Sequence, residues 1–229
     1  MDMYTTVVSF FQQGGPFMYP IALVFGIGFA IALERYLYLT RQTLANRRDY
    51  DRILPLLKQK RIRELAEVTK KSKSAVCRIA ADGLNRMSGS RRRQDIEYAM
   101  EEGLLEMLPQ IERRTPYLAT FANIATLLGL LGTIIGLIAA FTAVANADPA
   151  EKASLLSQSI SLAMNTTAFG LIVAIPLLLI HSMLQSKTSA IVESLEIAVV
   201  KFLNLLEERA PAAPAAKATK TVKASTATG

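Results

Sequence analysis

Seven small polar side chains stand inside otherwise apolar stretches: Asn123, Thr126, Thr133 and Thr142 in one, and Asn165, Thr166 and Thr167 in another. Hydroxyl and amide groups can solvate an ion or a carboxylate, but they do not titrate near neutral pH. A titratable residue within the bilayer is the ordinary marker of an ion path. None falls at mid-depth here, because Glu34, Arg35 and His181 all lie near one end of their apolar runs. The chemistry on offer is therefore coordination, and a proton crossing at this place would need a titrating group from another chain. Other chemistries lack material. One histidine, one cysteine and no tryptophan leave nothing for a zinc site or histidine catalysis. With no nucleophile–base pair and no metal cluster, the expectation is a protein that is not an enzyme and holds no cofactor. The bland alternative for each threonine is a bond to its own i−4 carbonyl, packing glue worth about 1 kcal/mol or less. Clustering favours the polar lining, since Asn165, Thr166 and Thr167 would face Thr133 at similar depth on an antiparallel neighbour.

Helices must position these groups. The run from 117 to 147 carries no charge between 124 and 141 and is long enough to cross a bilayer with residues to spare. Within it Gly129, Gly132 and Gly136 recur at three- and four-residue spacing, on one helical face where another backbone can come close. Thr126 and Thr133, seven apart, share a side. A second apolar run, 17–39, follows the breaker Gly14-Gly15-Pro16 and ends in Glu34-Arg35 with Tyr36 and Tyr38 as interfacial anchors. A third, 160–184, contains Gly170, a packing position, and Pro176, which frees a backbone carbonyl and permits a bend.

Charge sets the topology. Of 26 Lys and Arg, none precedes Arg35 and only Lys152 lies between Tyr117 and Ser186. The net charge of +7 thus belongs to two segments that the positive-inside rule places in the cytoplasm, which leaves no call for nucleic acid. Arg91-Arg92-Arg93 reads as a juxtamembrane turn near anionic lipid. The lone Cys77 lies in a basic segment, in keeping with a reducing side. The first residues lack a basic n-region, so no cleaved signal is expected.

The expected fold is an all-α membrane protein with three transmembrane helices. A helical cytoplasmic domain separates helices 1 and 2, and helix 3 carries a cytoplasmic extension. In order, 1–16 is an extracytoplasmic segment, 17–39 the first span, 40–116 the cytoplasmic domain and 117–146 the second span. Then 147–158 is a short periplasmic loop, 159–185 the third span, 186–208 the extension and 209–229 a disordered tail rich in Ala, Pro, Lys and Thr. Pro55 is expected to kink or bound a helix, Ser88-Gly89-Ser90 to form a turn, and Ile191, Leu195, Ala198, Phe202 and Leu205 to form one apolar stripe.

Three stretches carry a family resemblance: GGPFMYPIALV…ALERYLYL (14–39), GLLGTIIGLIAAF (129–141) and AMNTTAFGLIVAIP (163–176). On them the chain resembles the MotA/TolQ/ExbB proton-channel family, and looks most like ExbB-like inner-membrane proteins, over nearly all of 14–206. The resemblance implies a homopentamer around a central pore that holds two single-span helices of the ExbD/TolR/MotB type. The partner would supply a membrane aspartate, a TonB-like protein would be a further partner, and inner-membrane lipids would surround the assembly. Proton-motive force would drive movement of one component within the other, energising transport or work at the cell envelope. Thr133 and Thr167 fall on the family's pore-lining threonines, with Thr166, Asn165 and Thr126 beside the same ion pathway. Gly129, Gly132, Gly136, Gly170 and Pro176 would serve helix packing. One departure stands out: ExbB and TolQ carry a glutamate where this chain has Leu162. Thr166-Thr167 in place of Ala-Thr is similar to sodium-driven relatives, so the alternatives are a sodium-driven version of the motor and a non-conducting scaffold.

Overall fold

The structure, a computed structural model, describes residues 14–59, 61–89, 92–145 and 147–207. The expected segment at the extreme N-terminus, the tail beyond 208 and Arg91 of the arginine triplet lie outside these residues. Six helices follow in order: α1 (Met18–Lys58), α2 (Ile62–Lys71), α3 (Ala75–Gly89), α4 (Arg93–Glu112), α5 (Thr115–Ala145) and α6 (Lys152–Glu207). No strand occurs among the described residues. Three stretches, within Met18–Lys58, Arg93–Ala145 and Lys152–Leu205, are long and apolar enough to cross a membrane.

Helix length decides the architecture. At 1.5 Å per residue, the 56 residues of α6 reach roughly 84 Å and the 41 of α1 roughly 60 Å. A hydrocarbon core is only about 30 Å thick, so both helices must run far beyond it on one side. They do so in parallel and in step: Gly28 faces Leu177, Thr40 faces Lys187, and Tyr50 lies under Lys201. Neither the 39/40 nor the 185/186 boundary is a break. α1 continues through Pro55 and ends one turn later, at Lys58.

The lower halves of α1 and α6 close with α2, α3 and α4 into a helical bundle. Its core joins Ile53 and Leu57 to Val76, Ile79, Ile96, Met100, Leu195, Val199 and Phe202. On the α6 stripe Val199 and Leu203 are buried, while Ala198 and Leu205 are half-buried. A polar knot fastens α1 to the α2–α3 turn. Asp49, almost wholly buried, accepts a hydrogen bond from the Ser72 hydroxyl, and Asn46 Oδ1 accepts the Val76 amide at 3.5 Å. Burial pushes the Asp49 carboxyl up, but bonds from Ser72 and Ser74 and the neighbouring Arg48 outweigh it and leave it below its ordinary value. Burial raises the adjacent Cys77 thiol.

Two connections differ from expectation. The 147–158 segment turns helical at Lys152, nucleated where the Asp148 carbonyl accepts the amides of Glu151 and Lys152 at 3.0 and 3.2 Å. Ser88 and Gly89 of the anticipated turn are helical, with α3 ending at Gly89, and Ser90 lies outside the described residues.

Candidate functional site

The α5–α6 hairpin holds the polar residues, and its register follows from small side chains. Along α5 the buried positions are Thr115, Leu118, Ala122, Ala125, Gly129, Gly132, Gly136 and Ala140, at three- and four-residue spacing. The opposite face shows Leu127, Leu131, Ile134, Ile138 and Phe141. The buried stripe meets α6 at near-backbone distance. A Cβ on Gly170 would sit 2.7 Å from the Ala125 carbonyl oxygen and 3.1 Å from the Gly129 Cα, and one on Gly136 would sit 2.9 Å from the Ala163 Cβ. Helices this close are characteristic of membrane packing, where small residues replace the hydrophobic driving force.

At this seam two hydroxyls converge. Thr133 Oγ1 and Thr167 Oγ1 hydrogen-bond each other, and each also lies within reach of the Gly129 carbonyl oxygen, at 3.1 and 2.9 Å. A further acceptor, the Ala163 carbonyl, lies 3.4 Å from Thr133 Oγ1. Both threonines are half-buried, so the pair is reachable from one side of the hairpin. More acceptors surround these two oxygens than two hydroxyl protons can serve, so the protons have more than one arrangement open to them.

The other candidates part company here. Thr166 turns the opposite way and is 2 % exposed: its hydroxyl reaches the Gly14 carbonyl at 2.7 Å and Leu162 O at 3.0 Å, tying the start of the first span to α6. Its methyl group packs on Gly132, beside Phe17. Asn165 is half-buried, and its side chain makes no hydrogen bond among the described residues. Thr126 is exposed one face-repeat below Thr133 and bonds the Ala122 carbonyl at 3.1 Å. Pro176 is exposed, and α6 runs through it unbroken. Leu162 lies under Gly15, whose φ of +73° makes the turn into α1 and suits a residue without a Cβ.

A second cluster, at the membrane end of the cytoplasmic bundle, was not evident from sequence. Arg35 is buried, donates to the Ile111 carbonyl and lies 4.8 Å from the Tyr38 ring centroid. Glu34 receives both oxygens' worth of contact from Arg114 Nη1, each at 2.8 Å. Arg114 has φ +65°, at the elbow where α4 gives way to α5. The adjacent Glu34-Arg35 pair thus grips both sides of that elbow. Only the charge of the residues signalled it. No group of three or more His, Cys, Asp or Glu able to hold a metal gathers among the described residues.

Three apolar helices, one sharp hairpin with a hydroxyl seam and a long helical base define a multi-pass helical membrane protein. Residues 71–197, more than half the chain, with all of α5 and α6 as far as Ile197, match the MotA/TolQ/ExbB proton channel family. The chain is 29% identical over 206 residues to a biopolymer transport protein ExbB homolog of Methanothermobacter thermautotrophicus, covering 86% of this chain and 69% of that one. It is 30% identical over 112 residues to the Tol-Pal system protein TolQ of Haemophilus influenzae, 49% of each. A biopolymer transport protein ExbB-like 3 of Synechocystis is 27% identical over 176 residues, 76% of this chain and 83% of that one. The chain belongs to the MotA/TolQ/ExbB proton channel family and is a membrane subunit of the ExbB-like kind.

Proposed function

We propose that this chain is the channel subunit of a motor in the bacterial inner membrane, powered by the proton-motive force. Five copies surround single-span helices of an ExbD/TolR-like partner, with the N-terminus outside and the C-terminus in the cytoplasm. The observation that carries this reading is the Thr133–Thr167 pair: a half-exposed hydroxyl seam in spans whose middle holds no carboxylate. A partner aspartate brought against it would be anionic before taking up a proton and neutral afterwards. A threonine hydroxyl can donate to the anion and accept from the acid, so the same two groups serve both states. In a low-dielectric surrounding each such bond is strengthened, and loading or unloading the proton changes which geometry is favoured. That change moves the partner relative to the ring, for transport or work at the envelope.

A second reading, a non-conducting scaffold, has its own observation: Thr126, Thr133 and Thr142 each return a hydroxyl to the i−4 carbonyl, as packing threonines do. Co-purification with a single-span protein carrying an early membrane aspartate, then flux in liposomes, separates the two. Aspartate-dependent proton flux is expected. Aspartate-dependent sodium flux would make the motor sodium-driven. A chain that captures no partner and passes neither ion would be a scaffold.

A further inference from the structure

Below the span, α1 and α6 part to leave a cleft of about 500 Å³, within the usual size of a ligand site. Three cations line it: Arg47 from α1, and Lys187 and Lys201 from α6. None of the three pairs with a carboxylate among the described residues. Lys187 lies 3.9 Å from the Tyr36 ring centroid and donates to Thr40 Oγ1 at 3.3 Å, which holds it at the upper rim. Two further groups on the wall have no partner. Asn46 is 4 % exposed, and with Oδ1 committed to the Val76 amide its Nδ2 donor is left without an acceptor; the Tyr50 hydroxyl is likewise unpaired. Buried donors without acceptors are costly, and three cations without carboxylate partners on one cleft suit an anion rich in acceptor oxygens.

The rest of the wall is apolar, with Leu44, Ile191 and Ile197. Above Lys187 the cleft gives onto a second furrow of about 180 Å³, bounded by Phe29, Leu33, Ile180 and Met183. Lys187 lines both, so an oily groove on the span and a cationic pocket below it meet at this one side chain, as two halves of a track. Thr40 and Lys187 stand one and two residues past the expected span ends at 39 and 185, which is the headgroup level. A ligand matching the track has acyl chain above, phosphate at the Lys187 rim and a polar head group reaching toward Asn46 and Tyr50.

We infer that the α1–α6 cleft is a binding site for an anionic phospholipid of the cytoplasmic leaflet, its phosphate held by Lys187 and Arg47. Basic pockets between membrane helices on that side suit such head groups. Bound there, the lipid would brace α1 against α6 where the span meets the base. The leaflet rests on the orientation proposed above, but lipid retention needs neither partner nor ion flux and fails independently of the motor reading.

The test is native mass spectrometry of the full assembly, equilibrated in equal mixtures of phosphatidylglycerol and phosphatidylethanolamine. The wild type should retain phosphatidylglycerol preferentially. In Arg47→Gln/Lys187→Gln/Lys201→Gln the preference should fall by on the order of a hundredfold, from about one basic-residue contribution per charge. Arg61→Gln/Lys70→Gln/Lys71→Gln removes the same charge elsewhere and should retain the preference. Ala190→Phe fills the cleft without changing charge, should also abolish retention, and carries the test if the triple variant does not assemble. Retention unchanged in both cleft variants overturns the proposal. So does displacement of the lipid by millimolar glycerol 3-phosphate, which would mark a soluble-phosphate site.

Discussion

The hydroxyls of Thr133 and Thr167, on antiparallel helices, meet over the carbonyl oxygen of Gly129, 3.1 Å from one and 2.9 Å from the other. Glycine at 129 makes the meeting possible, since a Cβ there would lie 3.3 Å from the Thr167 Cα. The polar site and the packing seam are therefore one feature.

Replacing Thr133 or Thr167 by Val keeps the shape and removes the hydroxyl. Each variant should lose about 1 kcal/mol or less of stability and still assemble, while ion flux with the partner present falls severely. Thr→Ser at either place should restore flux. Size-exclusion chromatography beside liposome flux checks this, and flux near wild type in both valine variants would sink the motor reading.

Gly170→Ala forces a methyl against the Ala125 carbonyl, both of them backbone-fixed. Overpacking of this kind should cost roughly 1–3 kcal/mol, visible as a lower melting temperature in detergent. Gly26→Ala is the control: nothing lies within 4 Å of its added Cβ. Its melting temperature should match or slightly exceed wild type, in line with the helix propensity of alanine.

The two residues at the foot of the first span should separate sharply. Glu34 and Arg114 are 47% and 44% exposed, so Glu34→Gln should cost ~1 kcal/mol at most. Arg35→Ala strands the buried Ile111 carbonyl and should cost roughly 1–3 kcal/mol. Thermal melting of the two variants side by side measures the difference.

Two aspartates give opposite pH dependence. Asp49 is held below its ordinary value, so its ionised form stabilises the fold above the unfolded carboxylate range, and that contribution fades as pH falls through the folded value. Asp82, beside Gly103, is raised by burial and by Glu106 and Glu102. Its ionisation costs stability at neutral pH, and the cost is relieved as pH falls from the raised folded value to the unfolded one. Melting curves should thus show Asp49→Asn below and Asp82→Asn above wild type at neutral pH. Both gaps should close as the buffer becomes acidic.

Much of this protein is legible in its residues. Three apolar runs read as spans by length, with charge held to their ends, because a charge or an unpaired backbone group deep in hydrocarbon is too costly. The segregation of basic residues around them sets the helical base apart from the membrane part. Gly129, Gly132 and Gly136 announce a close-packed face through spacing alone, since helical geometry puts i, i+3 and i+7 on one side. What spacing does not decide is which neighbour occupies each direction. Thr166 and Thr167 are adjacent in sequence and alike in chemistry, yet about 100° apart around α6. Packing of α1 against one side buries Thr166 on Gly14, and packing of α5 against the other turns Thr167 to Thr133. Asn46, Asp49 and Arg35 show the same limit: nothing in their spacing marks them as interior, and each is buried because a distant segment folds over it. A helix's own sequence fixes its periodicity, while the energy that tells one face from another comes from contacts many residues away, which only the assembled fold supplies.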